Sequence, residues 1–355
     1  MFYLLESEKG YWKNLAQSLV SNSVLPPFDD SNIRRNLIAA FHFYIGTFFL
    51  SMERKEPAKE WLKHGAKLET QASLCTYLLD YLDNKGREQS KPATAFEEPD
   101  PFVQVSNARI LRTAKSRFVS HVADTLSVFK KPVRIMDIGC GDGSLTGQII
   151  ENLRFNKKIS TVSELLLIEP SQKMLERAEE RLKRLPGLIS IKPCNERIQK
   201  MAPYIKDHYD IVICAISYHH MPYEEKCIHL QELAPFMSNI LFLEMDAEHD
   251  KPEMNSPELA LSVYLSYGRF IEDAISSPFV GAETYEAIDG FLLTEILSTL
   301  TEPRGVRTEY HMPKNRWIEL LKFSLGPEFS LGCDTFCYSD DHLGFFTLHY
   351  GKKVI

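Results

Sequence analysis

The chain has 355 residues, of which 44% are hydrophobic and 25% charged, a composition typical of a globular protein with one large core and a smaller one. Its formal net charge of −7 disfavours nucleic acid as a partner, because nucleic-acid binders concentrate Lys and Arg. The most apolar run, residues 37–50, is too short to span a bilayer, and residues 1–9 lack the pattern of a signal peptide, so we expect a cytoplasmic protein that does not bind membranes.

The amino-terminal region has the spacing of apolar residues that is typical of helices. The predicted helices are Tyr11–Leu19, Ile33–Met52, Pro57–Leu68 and Ala72–Leu82. The segment from Ala40 to Leu68 resembles one tetratricopeptide unit. Since one unit cannot form a solenoid, a plain helical hairpin that packs on the next domain is the alternative. Either could serve as a lid or as a contact in a homodimer, and polar residues 84–101 then form a predicted linker.

The most informative stretch follows a predicted helix over Val105–Phe129. An apolar run from Val133 ends in Asp137 and three alternate glycines, Gly139, Gly141 and Gly143. Helical spacing resumes at Ser144. The pattern predicts a buried parallel strand, a glycine turn and a helix, in which a ligand can approach bare backbone at the helix amino terminus.

The spacing of the glycines excludes two common nucleotide sites. A dinucleotide fingerprint, G-x-G-x-x-G, needs its third glycine where Ser144 stands. No G-x-x-x-x-G-K-[ST] segment is present to bind a nucleoside triphosphate. The D-x-G-x-G-x-G run instead resembles the first motif of class I S-adenosylmethionine-dependent methyltransferases.

This resemblance implies S-adenosyl-L-methionine as the cofactor and a set of residues around it. A second apolar run ends at Glu169, and in such a fold an acid at this position can accept hydrogen bonds from both ribose hydroxyls. A short third strand, Leu188–Ile191, leads to Asn195 and Glu196, either of which occupies the place of the residue that binds adenine. The implied cofactor-binding residues are Asp137, Gly139, Cys140, Gly141, Gly143, Glu169, Pro170, Asn195, Glu196, Ala215 and Ser217.

The remaining strands and helices alternate. A fourth strand, Tyr209–Ile216, is followed by a helix over Tyr223–Leu233 and a fifth strand over Asn239–Asp246. Alternation of this kind predicts an α/β fold with a doubly wound, mostly parallel, Rossmann-like sheet, and the resemblance implies seven strands.

The last third of the chain interrupts and then completes this pattern. Residues 247–303 are predicted to be a helical insertion, in which methyltransferases of this type build the substrate pocket. Final strands are predicted over Arg304–His311, Phe329–Cys337 and Leu343–Tyr350, with a helix over Arg316–Leu325. We therefore divide the chain into a helical region with its linker, residues 1–100, and a methyltransferase domain, residues 101–355.

The candidate catalytic residues lie at the ends of the fourth and fifth strands. His219 and His220 directly follow the fourth strand, and one of them, with His220 preferred, could act as a base on the acceptor. Glu244 and Asp246, at the end of the fifth strand, are the next candidates for orienting a cationic or hydroxyl acceptor. On an extended segment, neighbouring side chains point to opposite sides, so only one histidine is expected to reach the acceptor. The seven cysteines form no C-x-x-C pair, and no metal site is expected.

The function predicted from the sequence is methyl transfer from S-adenosyl-L-methionine to nitrogen or oxygen of a small molecule. The segment Leu167–Ser171 also has some resemblance to relatives of histamine N-methyltransferase. One alternative is a protein or peptide methyltransferase that docks its substrate on the amino-terminal helices. Another is a methyltransferase fold that is retained as a non-catalytic scaffold.

Overall fold

A computed structural model describes residues 3–21, 30–70, 72–83, 99–277 and 280–353. Most of the predicted linker, residues 84–98, lies outside the described residues. The described residues fall into two compact units, which are treated separately below. The first contains the amino-terminal helices together with residues 247–309 and 340–343, and the second contains residues from 99 to 246, 310–339 and 344–353.

The second unit contains every strand of the sheet. Its helices are α5 (Pro99–Ser106), α6 (Arg109–Thr125), α7 (Ser144–Phe155), α8 (Gln172–Leu182), α9 (Ile198–Met201), α10 (Tyr223–Leu233) and α14 (Lys314–Leu325). Its strands are β1 (Val133–Ile138), β2 (Val162–Ile168), β3 (Ile191–Cys194), β4 (Ile211–Ala215), β5 (Asn239–Met245), β6 (Phe329–Ser339) and β7 (Gly344–Lys352).

The seven strands form one sheet in the order β3-β2-β1-β4-β5-β7-β6. The first five strands pair in parallel, and β7 pairs antiparallel with both β5 and β6. This confirms the predicted seven-stranded, mostly parallel α/β fold. The strand order reverses direction between β1 and β4, and in open sheets of this kind ligands bind beyond the carboxyl ends of the strands at such a switch point.

The central strands are apolar because both faces of the sheet are covered. Ile211, Val212, Ile213 and Cys214 of β4 are all buried, as a parallel strand between two helix layers requires. Residues 188–191 were expected to form the third strand, but the observed third strand, β3, covers Ile191–Cys194. Leu188 makes only an isolated bridge to Val162. Pro193 lies within β3, which is tolerated because β3 is an edge strand.

The prediction of a strand over Arg304–His311 is wrong. No residue of this segment is part of a strand in the described structure. The guanidinium of Arg307 donates hydrogen bonds to the carbonyl oxygens of Asp250 and Pro252, which stabilises a turn rather than a ladder. The β-branched and aromatic residues that suggested a strand are therefore outweighed by tertiary hydrogen bonds.

The first unit is helical. Its helices are α1 (Glu6–Ser21), α2 (Ile38–Leu50), α3 (Lys55–Ala66), α4 (Leu74–Asp83), α11 (Pro257–Ile275), α12 (Ala282–Ala287) and α13 (Leu293–Thr301), with a π-helical turn over Ile288–Leu292. Small residues allow close packing: a Cβ atom on Gly46 would lie 2.8 Å from Leu62, and one on Gly268 would lie 3.0 Å from Ala72. Among the described residues, no helix is both long enough and apolar enough to cross a membrane.

Candidate functional site

The turn between β1 and α7 requires glycine at its alternate positions. Gly139, Gly141 and Gly143 all have positive φ angles, between +54° and +73°, which glycine adopts at little cost. Space is also limiting, because a Cβ atom on Gly143 would lie 2.9 Å from the backbone of Ala178. At Gly141 the nearest atoms to such a Cβ, on Met174 and Phe102, are 3.6 Å away. Backbone conformation and close packing therefore explain the D-x-G-x-G-x-G run.

Asp137 is buried at the end of β1, where it accepts a hydrogen bond from the hydroxyl of Thr146 in α7. Burial raises the pKa of Asp137 to about 7, and the negative charge of Glu169 acts in the same direction, while the Thr146 hydrogen bond opposes them. The pair joins the strand to the helix on either side of the glycine turn. Sequence reasoning missed Thr146, although its position in the first turn of the predicted helix could have indicated it.

Glu169 directly follows β2, as predicted, and is 7% exposed. One of its carboxylate oxygens accepts a hydrogen bond from the backbone N–H of Gly141 at 3.0 Å, and the other from the N–H of Ser171 at 2.9 Å. Burial raises the pKa of Glu169 and these two hydrogen bonds lower it. Since a carboxylate offers about four lone pairs, each oxygen can still accept one more hydrogen bond.

Asn195 and Glu196, the two candidates for the residue that binds adenine, lie in different surroundings. The amide of Asn195 donates hydrogen bonds to the carbonyl oxygens of Glu169, at 3.1 Å, and Pro170, at 2.9 Å. Glu196 instead forms an ion pair with Lys200 at 3.1 Å. The structure thus brings Asn195 and Pro170 together with Glu169. Cys140, within the glycine turn, is buried, and burial raises its pKa far above the usual range of a thiol.

The carboxyl end of β4 turns sharply away from the sheet. After Ala215, Ile216 has a φ of +52°, which is a strained conformation for a β-branched residue. Its N–H donates to the carbonyl oxygen of Leu243 at 2.7 Å, and the hydroxyl of Ser217 donates to that of Ile138 at 2.7 Å. These bonds fix Ser217 next to the glycine turn, at the switch point between β1 and β4.

A buried histidine–carboxylate pair follows this turn. Glu244, near the end of β5, is fully buried, and its Oε1 accepts hydrogen bonds from the N–H groups of Ser217 and Tyr218 at 3.2 and 3.0 Å. Its Oε2 lies 2.9 Å from Nδ1 of His219. Burial raises the pKa of Glu244 to about 7, opposed mainly by the positive charge of Lys226. The carboxylate thereby fixes the orientation of the His219 ring.

The expectation of an extended segment at the two histidines is wrong. Residues Tyr218–His220 form a 3₁₀ turn, in which successive side chains point about a third of a turn apart rather than to opposite sides. The ring centroids of His219 and His220 are accordingly only 4.1 Å apart. His219 is buried and His220 is partly exposed.

Two further residues of this unit, His311 and Lys226, lie near the pair of His219 and Glu244 and were not predicted. The ring of His311 stacks on that of His219 with centroids 4.0 Å apart, and its Nδ1 lies 4.0 Å from Oε2 of Glu244. Lys226, fully buried in α10, donates to the carbonyl oxygen of Tyr310 at 2.6 Å. His311 is separated from β4 and β5 by the insertion, so no local sequence pattern could have linked it to them.

Comparison with known proteins finds a matching family and similar solved structures. Residues 129–266 match the family described as "Methyltransferase domain". A search of curated proteins finds no match. Among solved structures, SCL7 from Oryza sativa is similar with a TM-score of 0.56 and 11% identity, covering 82% of this chain and 93% of its own, which shows a shared fold and no more.

Two cofactor-bound methyltransferases are also similar, at lower TM-scores. Magnesium protoporphyrin IX methyltransferase from Synechocystis PCC 6803, with bound S-adenosylmethionine, has a TM-score of 0.41 and 13% identity, covering 78% of this chain and 96% of its own. Plantazolicin methyltransferase BpumL, in complex with S-adenosylhomocysteine, has a TM-score of 0.42 and 17% identity, covering 74% and 94%.

Proposed function

We propose that the chain is an S-adenosylmethionine-dependent methyltransferase, because residues 129–266 match the family described as "Methyltransferase domain" and the second unit has a mostly parallel seven-stranded sheet. We further propose that the acceptor is a nitrogen or oxygen atom of a small molecule. The observation that supports the proposal most directly is the pairing of the glycine turn with Glu169, through the hydrogen bond from the N–H of Gly141. This hydrogen bond holds the glycine turn and Glu169, the proposed acceptor for the ribose hydroxyls, next to each other at the switch point of the sheet.

The residues at this position fit the cofactor. At Gly141, the centre of the turn, the nearest atoms to a Cβ would be 3.6 Å away, so the turn can present bare backbone to a ligand before α7. Glu169 keeps two unused lone pairs after binding Gly141 and Ser171, enough for two ribose hydroxyls. Asn195, bonded to the backbone of Glu169 and Pro170, would stabilise the adenine side of the same site.

Bound S-adenosylmethionine supplies an electrophilic methyl group on a sulfonium. The protein's own contribution is then to position the acceptor and to receive its proton. His219, oriented by Glu244, and the neighbouring His220 are the residues we assign to the acceptor side. A histidine held by a buried carboxylate is suited to accept a proton from a hydroxyl or from a protonated amine.

The charge of the chain supports a small acceptor over a nucleic acid. A net charge of −7 disfavours binding of a polyanion. The segment after β4, Ser217–His220, also differs from the [DN]-P-P-[YF] sequence that holds a flipped base in many DNA and RNA amino-methyltransferases.

The proposal is tested in two steps. Isothermal titration of the purified chain with S-adenosylmethionine should show one binding site per chain, and absence of binding at high micromolar cofactor would favour a non-catalytic scaffold. Transfer of a labelled methyl group is then measured against a panel of small amines and phenols, with a panel of peptides alongside. Labelling of peptides alone would overturn the small-molecule acceptor while leaving methyl transfer intact.

A further inference from the structure

The pair of His219 and Glu244, assigned above to the acceptor side, is part of a larger cluster of potential metal ligands in the second unit. His219, Glu244 and His311 each offer a ligand atom, and these atoms all lie within 4.8 Å of one another. All three residues are buried, with exposed fractions of 4%, 0% and 3%. They come from three separate segments: the turn after β4, the end of β5 and the segment before α14. We call them the His-Glu-His cluster.

One of the two distances from Oε2 of Glu244 to the histidines matches a coordination sphere, and the other is longer. Two ligands bound to zinc at about 2.1 Å are about 3.0 Å apart at a right angle and about 3.4 Å apart at the tetrahedral angle. Oε2 of Glu244 lies 2.9 Å from Nδ1 of His219 and 4.0 Å from Nδ1 of His311. Because the rings of His219 and His311 stack at an interplanar angle of 23°, one ring would have to turn out of the stack to bring all three atoms within bonding distance of one ion.

Hydrogen bonds hold Glu244 and the segments that carry the two histidines in place. Both N–H groups that bind Glu244 act on Oε1, so Oε2 remains directed at the two histidines. The N–H of Tyr310 donates to the carbonyl oxygen of His219 at 2.7 Å, which joins the segment carrying His311 to the turn after β4. Hydrogen bonds of this kind orient metal ligands and increase affinity.

The donor set identifies the class of ion. Two imidazole nitrogens and one carboxylate oxygen suit Zn²⁺ and neighbouring first-row divalent ions, whereas Mg²⁺ and Ca²⁺ prefer oxygen ligands only. Three protein ligands leave at least one coordination position for water or for a substrate atom. The ammonium of Lys226 opposes a cation here and is expected to weaken the affinity.

We propose that His219, Glu244 and His311 bind one divalent first-row transition-metal ion and leave one coordination position open. The ion would replace the proton shared by His219 and Glu244. With the ion bound, His219 would be a ligand and no longer a base, and the open position would bind the acceptor's oxygen or nitrogen. This role rests on the proposed methyl transfer, but the existence of the site does not.

Zn²⁺ alone is titrated into the full chain after chelation, without S-adenosylmethionine. We expect one ion per chain, and affinity at least about tenfold weaker in Glu244→Gln and in His311→Gln. The matched control is His208→Gln, since His208 is exposed, bonds to Ser238 and lies outside the cluster; it should bind zinc as the unchanged chain does. Equal affinity in all variants, or no binding by the unchanged chain, would overturn the site.

A second measurement remains decisive if a cluster variant does not fold. Co²⁺ bound to the unchanged chain should give the intense visible absorption of four- or five-coordinate cobalt with nitrogen and oxygen ligands. A thiolate-to-cobalt charge-transfer band would place the ion on one of the free cysteines instead and overturn the proposal. Titration of the metal-free chain with S-adenosylmethionine separates the two proposals, since cofactor binding without zinc binding contradicts only the metal site.

Discussion

Gly139 and Ser217 lie so close together that a Cβ atom on Gly139 would be 2.4 Å from the Cβ atom of Ser217. Gly139→Ala should therefore destabilise the fold by about 2–4 kcal/mol. One part of the cost arises because alanine would have to adopt the left-handed backbone conformation of Gly139, and the other because its Cβ atom would overlap with Ser217. The measurement is the free energy of unfolding in urea. Adding Ser217→Gly to Gly139→Ala should recover part of the loss, because the overlapping atom is removed.

The matched control for this prediction is Gly141→Ala. Gly141 has a positive φ as well, but the nearest atoms to its Cβ would be 3.6 Å away. Only the backbone cost of about 1–2 kcal/mol should appear. Equal losses for the two alanine variants would show that the contact with Ser217 is not what limits position 139.

The larger substitution Gly141→Val tests the proposed binding of the cofactor at the glycine turn rather than the fold. A branched side chain at the centre of the turn should block the approach of the ligand to the backbone and abolish binding of S-adenosylmethionine. The helical content, measured by circular dichroism, should be unchanged. Unaltered cofactor affinity would contradict the assignment of the glycine turn.

Glu169→Ala should weaken binding of S-adenosylmethionine by at least about tenfold, because hydrogen bonds to a charged acceptor are worth about 1.5–3 kcal/mol each. Since Glu169 also bonds to the N–H of Gly141, part of this loss comes from the turn itself. Glu180→Ala is the control, because that exposed carboxylate is paired with Arg184 and is not assigned to the cofactor. A loss below about threefold in Glu169→Ala would place the ribose elsewhere.

A chain that begins at Asp100 should still bind S-adenosylmethionine, since every residue assigned to the cofactor belongs to the second unit. It should nevertheless bind a hydrophobic dye strongly. The reason is that the first unit combines the amino-terminal helices with α11, where the ring of Phe43 lies 5.5 Å from that of Tyr264. Complete unfolding of the shortened chain would show that the cofactor domain depends on these helices.

The arrangement of β1, the glycine turn, α7 and Glu169 could be predicted from the sequence because its parts are local. One run of residues holds β1, the glycine turn and the start of α7, and Glu169 directly follows the next strand. Hydrophobic pattern and glycine spacing are sufficient for features of this kind. The positive φ of Ile216 could not be predicted from such local patterns. It is accompanied by a hydrogen bond from the N–H of Ile216 to the carbonyl oxygen of Leu243 in another strand.

Features that depend on distant residues could not be predicted. His311 reaches Glu244 only because the chain returns to the sheet after the insertion. Likewise, α2 packs with α11 in the first unit although more than 200 residues separate them along the chain, as the contact of Phe43 with Tyr264 shows. Neither contact leaves a periodic signal in the sequence.

Asp137 should make stability depend on pH in a defined direction. Burial raises its pKa from 3.8 to about 7 in the folded chain, so the folded state holds a proton that the unfolded state has lost between these values. The stabilisation associated with the protonated form is complete below about pH 4 and is lost as the pH rises to about 7. The amide side chain of the variant Asp137→Asn cannot titrate, so this dependence should be absent from the variant.

The measurement is the free energy of unfolding of the unchanged chain minus that of Asp137→Asn, from pH 4 to pH 8 without cofactor. Taking the difference removes the contributions of titrating groups that do not interact with Asp137. The charge of Glu169 acts on Asp137, so the coupling of these two carboxyl groups remains in the difference. The difference should fall by an amount on the order of a few kcal/mol up to about pH 7 and then stay constant. Thr146→Val should extend the fall to higher pH, because the hydroxyl that stabilises the ionised carboxylate is lost. A difference that is constant across the range would mean that Asp137 is already ionised in the folded chain at pH 4.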